Sequence, residues 1–389
     1  MGKLKSLLKA ELVKHKVKGK PDPGVWIFSS TDNSHYNYNS RYLFEYVKDN
    51  LLEITPYFVI NDEKLRRKLG EEYGEQYFIE TCSEEGMKKV LSAGVWFTSA
   101  GLPVYGTGLG KNRTIVNLWH GIPLKKIALM DPNLSKLARI YFKKIFSENY
   151  TFVLTCSSRL IPVMAESFRI SPDKIKVWGQ PRNDVLFTKT DKEKVLGSMY
   201  PDLPSCKKTI LYAPTFRDYG VTSLFPFKDY DKQALDAFLE KEDAVIFLRT
   251  HISEQGNAGP YLSDRVRYLG NEQAEDIMDI ADIFDILITD YSSIYIDYLL
   301  LDRPLIFLPY DKERYLKGRG MNFEYDKVTP GAKPDSQEKF LEAIAEICHG
   351  KDRYQKERQE CNLFFNEIQK PCMKKICDEV KKHVGMDEN

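Results

Sequence analysis

Cations and hydroxyls follow three apolar runs in the C-terminal half of the sequence. The runs are Thr209–Ala213, Ala244–Leu248 and Ile283–Thr289, and each has the largely apolar composition, with β-branched residues, of a buried strand. The polar side chains that follow them are Arg217, Arg249, His251, Asp290, Ser292 and Ser293. Because the carboxyl ends of parallel strands meet at one edge of a sheet, these groups are expected to lie together. Cations and hydroxyls in that setting predict a diphosphate clamp.

The third of these runs opens a predicted β-α-β unit that extends to Asp311. A short apolar helix begins at Ile294, Arg303-Pro304 ends it, and the next buried strand starts at Leu305. Two serines at the start of a helix are suited to holding phosphate. The spacing of Asp290, Ser292 and Ser293 fits an ordinary helix N-cap equally well.

A histidine follows a further predicted strand, Ile115–Trp119, in the N-terminal half. An imidazole at the carboxyl end of a strand is a candidate general base, because its pKa class lies near neutrality. Gly121, which permits unusual backbone angles, favours a site over a structural role for His120. A basic face on the predicted helix Leu134–Phe146, formed by Lys136, Arg139, Lys143 and Lys144, is either solvated or a lipid contact.

The composition is that of an ordinary globular protein, with 389 residues, 42% hydrophobic and 29% charged. A net charge of +1 argues against a general nucleic-acid binder. No apolar run indicates a membrane span or a signal peptide, so a cytoplasmic location is expected. Seven scattered cysteines without a C-x-x-C pair favour reduced, structural thiols.

Alternating strand and helix signals predict a doubly wound α/β protein with two main domains. The expected divisions are a basic segment at 1–20, an N-terminal domain at 21–190, a C-terminal domain at 191–365 and a helical tail at 366–389. In the first segment seven lysines accompany one glutamate and a stripe of Leu4, Leu7, Leu8 and Leu12. This pattern fits either a helix packed on the body or one lying on an anionic membrane surface.

Four spaced motifs together resemble the CDP-glycerol glycerophosphotransferases of teichoic acid synthesis. They are WHGIPLKKI (119–127), YAPTFRD (212–218), RTH (249–251) and TDYSSIYIDYLLLDRPLIFLPYD (289–311). The resemblance covers about residues 25–330 and implies a GT-B architecture, with two Rossmann-like domains facing a central cleft. The family usually has a proline after the second histidine, whereas Ile252 follows His251 here.

The resemblance also implies the reaction and the residues that carry it. Glycerol phosphate passes from CDP-glycerol to an acceptor hydroxyl and CMP leaves, without a cofactor or a metal. The implied catalytic residues are His120 and His251. The implied substrate-binding residues are Gly121, Pro123, Lys125, Arg217, Arg249, Asp290, Ser292, Ser293 and Asp311.

Within the family, the absence of a long N-terminal extension predicts a primase. Its acceptor would be a disaccharide on undecaprenyl diphosphate, and its place the inner face of the cell membrane. A short glycerol- or ribitol-phosphate polymerase is the main alternative. A GT-B glycosyltransferase using a nucleotide sugar and a non-catalytic lipid-binding scaffold are more remote, and the oligomeric state stays open.

Overall fold

The computed structural model describes residues 2–217, 219–250 and 256–386, and for residues 2–6 and 319 it describes the backbone alone. The strands are β1 (Asp22–Ser29), β2 (Thr55–Val59), β3 (Phe78–Ile79), β4 (Ala93–Thr98), β5 (Thr114–Asn117), β6 (Phe152–Thr155), β7 (Ile175–Val177), β8 (Lys208–Tyr212), β9 (Ala244–Leu248), β10 (Val266–Tyr268), β11 (Ile286–Thr289) and β12 (Leu305–Phe307). The helices are α1 (Gly2–Lys14), α2 (Tyr38–Asn50), α3 (Glu63–Tyr73), α4 (Glu84–Leu91), α5 (Lys136–Phe142), α6 (Ile161–Phe168), α7 (Lys192–Met199), α8 (Lys232–Lys241), α9 (Ile294–Tyr298), α10 (Lys312–Arg319), α11 (Tyr325–Val328), α12 (Gln337–Cys348), α13 (Gln355–Phe365) and α14 (Met373–His383).

The chain forms two compact units, each built on its own parallel sheet. The N-terminal unit takes in the described residues of 1–122, 126–184 and 367–389, and its sheet has the order β3-β2-β1-β4-β5-β6-β7. The C-terminal unit takes in Pro123–Lys125 and the described residues of 185–366, and its sheet has the order β10-β9-β8-β11-β12. The prediction of an α/β protein with two Rossmann-like sheets is confirmed.

The central strands are buried along their whole length, as their uniformly apolar sequences predict. Every residue of β4 and of β9 is buried. The core of the N-terminal unit contains several aromatic rings, and Phe28 stacks on Phe97 with ring centroids 5.1 Å apart. Strands covered on both faces are typical of parallel sheets, which leaves mainly their ends for polar chemistry.

Each sheet has a point at which the order of its strands reverses. In the N-terminal unit this point lies between β1 and β4, and in the C-terminal unit between β8 and β11. The connections that leave the carboxyl ends of these neighbouring strands diverge to opposite sides, which opens a crevice. The loops after β1, β4 and β5, and those after β8 and β11, are therefore the expected sites of binding.

The strand before His120 ends earlier than the sequence predicts. β5 stops at Asn117, and Trp119 has a positive φ of 55° that no strand residue adopts. The Asn117 side chain produces this turn, because its Oδ1 accepts a hydrogen bond of 2.9 Å from the Trp119 backbone N–H.

The first and last helices both pack in the N-terminal unit. Helix α1 buries Ala10 and Val13, while Leu8 and Leu12 of the predicted apolar stripe are exposed. Helix α14, which lies within the predicted helical tail at 366–389, contributes Ile376 to the unit's core. No helix in the described part of the chain is long and apolar enough to cross a membrane.

Candidate active site

His120 lies beside the reversal point of the N-terminal sheet, three residues beyond the end of β5. Its Nδ1 is 2.9 Å from the backbone carbonyl oxygen of Ser99, which follows the neighbouring strand β4. A carbonyl oxygen only accepts hydrogen bonds, so Nδ1 carries the proton and donates it to Ser99. The other ring nitrogen, Nε2, is then unprotonated in the neutral ring and able to take a proton.

The position of the Ser99 carbonyl is itself fixed by buried hydroxyls. Ser40 donates its backbone N–H to Ser99 Oγ at 2.8 Å, and the two side-chain oxygens are also 2.8 Å apart. The Ser40 hydroxyl lies 2.7 Å from the carbonyl oxygen of Ser29, at the end of β1. Strands β1, β4 and β5 therefore jointly orient the imidazole.

The environment of the imidazole favours its neutral form. Burial lowers the pKa of His120 to about 4, the Ser99 carbonyl opposes that shift, and the nearby Arg182 guanidinium adds to it. The ring is stacked on Tyr38, with centroids 5.0 Å apart, and contacts Trp119. At pH 7 the free protein thus holds His120 as a base rather than as a cation.

Two polar side chains hold the backbone around His120 in a strained conformation. Asn39 Nδ2 donates to the Trp119 carbonyl at 2.9 Å, and Arg182 Nη1 donates to the His120 carbonyl at 2.9 Å. Trp119 and Tyr38 have φ values of 55° and 59°, and Gly121 has a φ of 151° that favours glycine. Strain retained by surrounding contacts is characteristic of functional sites.

Arg217, at the reversal point of the C-terminal sheet, is paired with two carboxylates. Its Nη2 donates to Asp290 at 2.8 Å, and its Nε donates to Asp311 at 2.8 Å. A second bond joins Nη2 to Asp311 at 3.0 Å, and Nη1 donates to the Thr215 carbonyl. Burial by itself would lower the pKa of Arg217, but these carboxylates raise it well above its ordinary range. Arg217, Asp290 and Asp311 are thus brought together, with the cation occupied by the anions.

Tyrosine rings enclose this ion pair. The Arg217 guanidinium lies 5.0 Å from the ring centre of Tyr291 and 5.2 Å from that of Tyr315. Those two rings stack at 3.9 Å, and the Lys125 ammonium lies 5.3 Å from the Tyr315 ring centre. The motif that contains His120 is therefore divided, since Lys125 belongs to the C-terminal unit and His120 to the N-terminal one.

A single asparagine holds the three residues that the C-terminal unit takes from this motif. Asn322 Nδ2 donates to the carbonyls of Pro123 and Lys125, both at 2.8 Å. The backbone of Lys125 also forms a bridge with Met321. Pro123 thus contributes its backbone here, while Lys125 contributes its charge.

Hydroxyl groups stand at the same edge of the C-terminal sheet. Ser292 and Ser293, both partly exposed, precede helix α9. The Oγ1 atoms of Thr215 and Thr250 are buried and have no hydrogen-bond partner among the described residues. Buried hydroxyls without partners are available to hydrogen-bond the oxygens of a ligand.

Arg249 supports a loop. Its Nη1 donates to the carbonyl of Ala274 at 2.9 Å, and its Nη2 donates to the carbonyl of Glu275 at 3.2 Å and to the Asn271 side chain.

His251 lies outside the described residues, so its predicted role stays a prediction. Within the described ranges, no three His, Cys, Asp or Glu side chains are placed to hold a metal ion.

Comparisons with known proteins agree with these features. The family model for CDP-glycerol:poly(glycerophosphate) glycerophosphotransferases matches residues 12–381. The teichoic acid poly(glycerol phosphate) polymerase of Bacillus subtilis (strain 168) is 30% identical over an alignment of 335 residues, which covers 82% of this chain but only 43% of that protein. The teichoic acid glycerol-phosphate transferase of Staphylococcus aureus (strain NCTC 8325 / PS 47) is 28% identical over an alignment of 355 residues, which covers 86% of each protein.

The fold of the chain also matches that of experimentally solved structures. A structure of the wall teichoic acid polymerase TagF, soaked with CDPG, matches with a TM-score of 0.77 at 24% identity and covers 97% of this chain and 93% of that one. The predicted GT-B fold is therefore confirmed. Together with the family model, these matches establish that the chain belongs to the CDP-glycerol:poly(glycerophosphate) glycerophosphotransferase family.

Proposed function

We propose that this protein transfers glycerol phosphate from CDP-glycerol to a hydroxyl of a disaccharide on undecaprenyl diphosphate, with release of CMP. The observation that carries the proposal is the hydrogen bond from His120 Nδ1 to the Ser99 carbonyl. It leaves Nε2 as a proton acceptor on an imidazole that burial keeps neutral. A base of this kind is what a sugar or glycerol hydroxyl needs before it can attack phosphorus.

In the proposed reaction, Nε2 of His120 accepts the proton of the attacking hydroxyl. An O–P bond forms to the phosphorus that carries glycerol, and the bond from that phosphorus to the CMP oxygen breaks. A positioned base typically contributes about 10²–10⁴-fold to such a step. Negative charge that develops on an adjacent phosphate would raise the pKa of His120 and strengthen it as an acceptor.

The donor phosphates are proposed to bind the hydroxyls at the edge of the C-terminal sheet. Ser292, Ser293 and Thr215 offer hydroxyl groups there, and Lys125 offers a cation. Arg217 is proposed to act by bracing Asp290 and Asp311, since both carboxylates already occupy its donors. His251 is proposed to stabilise the leaving phosphate, as the family resemblance implies.

A single addition of glycerol phosphate, as in a primase, is the first form of the proposal. It is supported by the match to the Staphylococcus aureus glycerol-phosphate transferase over 86% of both proteins. Repeated addition is the second candidate, because the Bacillus subtilis polymerase is 30% identical to this chain.

We also propose that the protein binds peripherally to the inner surface of the membrane. On α1, Leu8 and Leu12 are exposed close to lysines, and on α5 Leu137 and Ile140 are exposed on the helix that also carries Lys136. Exposed apolar side chains interspersed with cations suit an anionic lipid surface.

Mass spectrometry of the products tests the proposal. The protein is incubated with a short-chain lipid-linked disaccharide and an excess of CDP-glycerol, and parallel reactions contain CDP-ribitol or a UDP-sugar. One added glycerol phosphate per acceptor is expected from CDP-glycerol alone. A ladder of glycerol phosphate additions would establish the polymerase, and transfer only from another donor would refute the proposal.

A further inference from the structure

Arg113 is a partly buried cation, and no carboxylate among the described residues pairs with it. It immediately precedes β5, and its guanidinium lies 4.5 Å from the ring centre of Trp96. Its Nε and Nη1 atoms are buried, and neither has a hydrogen-bond acceptor in the part of the chain that the structure describes. Burial alone lowers the pKa of Arg113 to about 10. An unpaired buried cation costs free energy that a bound anion would recover.

A cavity of about 690 Å³ opens beside this guanidinium. Lys20, Lys111 and His383 also line it, all three exposed, and no Asp or Glu is among its lining residues. Threonine and asparagine side chains at 112, 114 and 151 complete its polar wall. Three cations, Arg113, Lys20 and Lys111, without an intervening anion are suited to a phosphate group, and the space is large enough to admit one.

The cavity is separate from the site at His120. Arg113 lies at the amino end of β5 and His120 lies beyond its carboxyl end, seven residues later. At about 3.3 Å per residue, the four residues of β5 between them span roughly 13 Å. An anion beside Arg113 is therefore not the phosphate that would be attacked by the hydroxyl next to His120.

We infer that this cavity binds a phosphate-type anion, with the guanidinium of Arg113 as its main ligand. A phosphodiester fits the chemistry, either in a soluble glycerophosphodiester or in the headgroup of an anionic lipid. The inference goes beyond the proposed function and does not depend on it, since neither His120 nor the hydroxyls of the C-terminal unit take part.

The test compares the binding of three probes by the full chain. The probes are inorganic phosphate, glycerophosphoglycerol and phosphatidylglycerol vesicles, with calorimetry for the first two and sedimentation for the third. Arg113→Met keeps an apolar stem on Trp96 and removes the charge. Arg67→Met, on the exposed surface of α3 in the same unit, is the matched control. Lys20→Met/Lys111→Met removes two positive charges from the lining of the cavity. Because both residues are exposed, this change leaves the core untouched.

We expect the Kd for at least one probe to rise tenfold or more in Arg113→Met, several-fold in the lysine double variant and not at all in Arg67→Met. A change confined to the soluble diester identifies a soluble ligand, and a change confined to vesicles identifies a lipid headgroup. The inference is overturned when the wild type binds none of the probes. It is equally overturned when wild type, Arg113→Met and the lysine double variant bind all three alike.

Discussion

The ion pair around Arg217 makes a prediction that separates a structural brace from a substrate clamp. Arg217→Met removes the cation and leaves Asp290 and Asp311 facing each other. The Arg217 and Asp290 side chains are 1% and 2% exposed, so water replaces little of the lost interaction. Removing one partner of a buried ion pair typically costs about 3–5 kcal/mol. For a unit of this size such a loss lowers the Tm by roughly 6–20 °C.

Thermal unfolding by circular dichroism and equilibrium binding of CDP-glycerol measure the two effects separately. Because two carboxylates left without their cation cause the loss, Arg217→Met/Asp290→Asn/Asp311→Asn is expected to regain part of the Tm. Lys339→Met, which breaks an exposed pair with Asp335 in the same unit, is the control and should leave the Tm unchanged. If Arg217→Met had an unaltered Tm and a greatly weakened affinity for CDP-glycerol, the structural role of Arg217 would be refuted. The original prediction, that Arg217 binds the diphosphate directly, would then be restored.

Three further predictions concern the base, the donor hydroxyls and the membrane. Protonation of His120 removes the base, and the pKa of His120 is lowered to about 4. The value of kcat/KM should therefore persist well below pH 6.5 and fall only as the pH approaches about 4. An acid limb centred at pH 6.5 or above in the pH–rate profile would contradict this expectation. Ser292→Ala/Ser293→Ala should raise the Kd for CDP-glycerol about tenfold in calorimetry with an unchanged Tm, and an unchanged Kd would exclude these hydroxyls as ligands. Leu8→Ser/Leu12→Ser should weaken sedimentation with anionic vesicles, whereas the control Leu52→Ser, at a leucine that is even more exposed, should not. If vesicle binding survives the double change, Leu137 and Ile140 on α5 are the next surface to change.

The sequence predicts the parts of the site that depend on strand ends. Uniformly apolar runs mark buried parallel strands, and the residues just beyond them must lie at the carboxyl edge. This reasoning locates His120 after β5 and Ser292 with Ser293 after β11. It also gives the class of fold, because the alternation of strands and helices permits few other architectures.

Partners that are distant in the sequence could not be predicted in the same way. Arg217 is 73 residues from Asp290 and 94 from Asp311, and an arginine after a strand serves a carboxylate as readily as a phosphate. The acceptor for His120 is the backbone carbonyl of Ser99, which no residue type reveals. Helix α1 likewise shows a leucine stripe in its sequence, but it packs through Ala10 and turns Leu8 outward.

The central claim is that His120 accepts the proton of the attacking hydroxyl. Single-turnover release of CMP from CDP-glycerol, in the presence of the lipid-linked disaccharide, tests it most directly when the wild type is compared with His120→Ala. We expect the rate constant to fall by about 10²–10⁴-fold while the Kd for CDP-glycerol and the Tm stay nearly unchanged. A His120→Ala protein whose rate constant remains within tenfold of the wild type would contradict the claim.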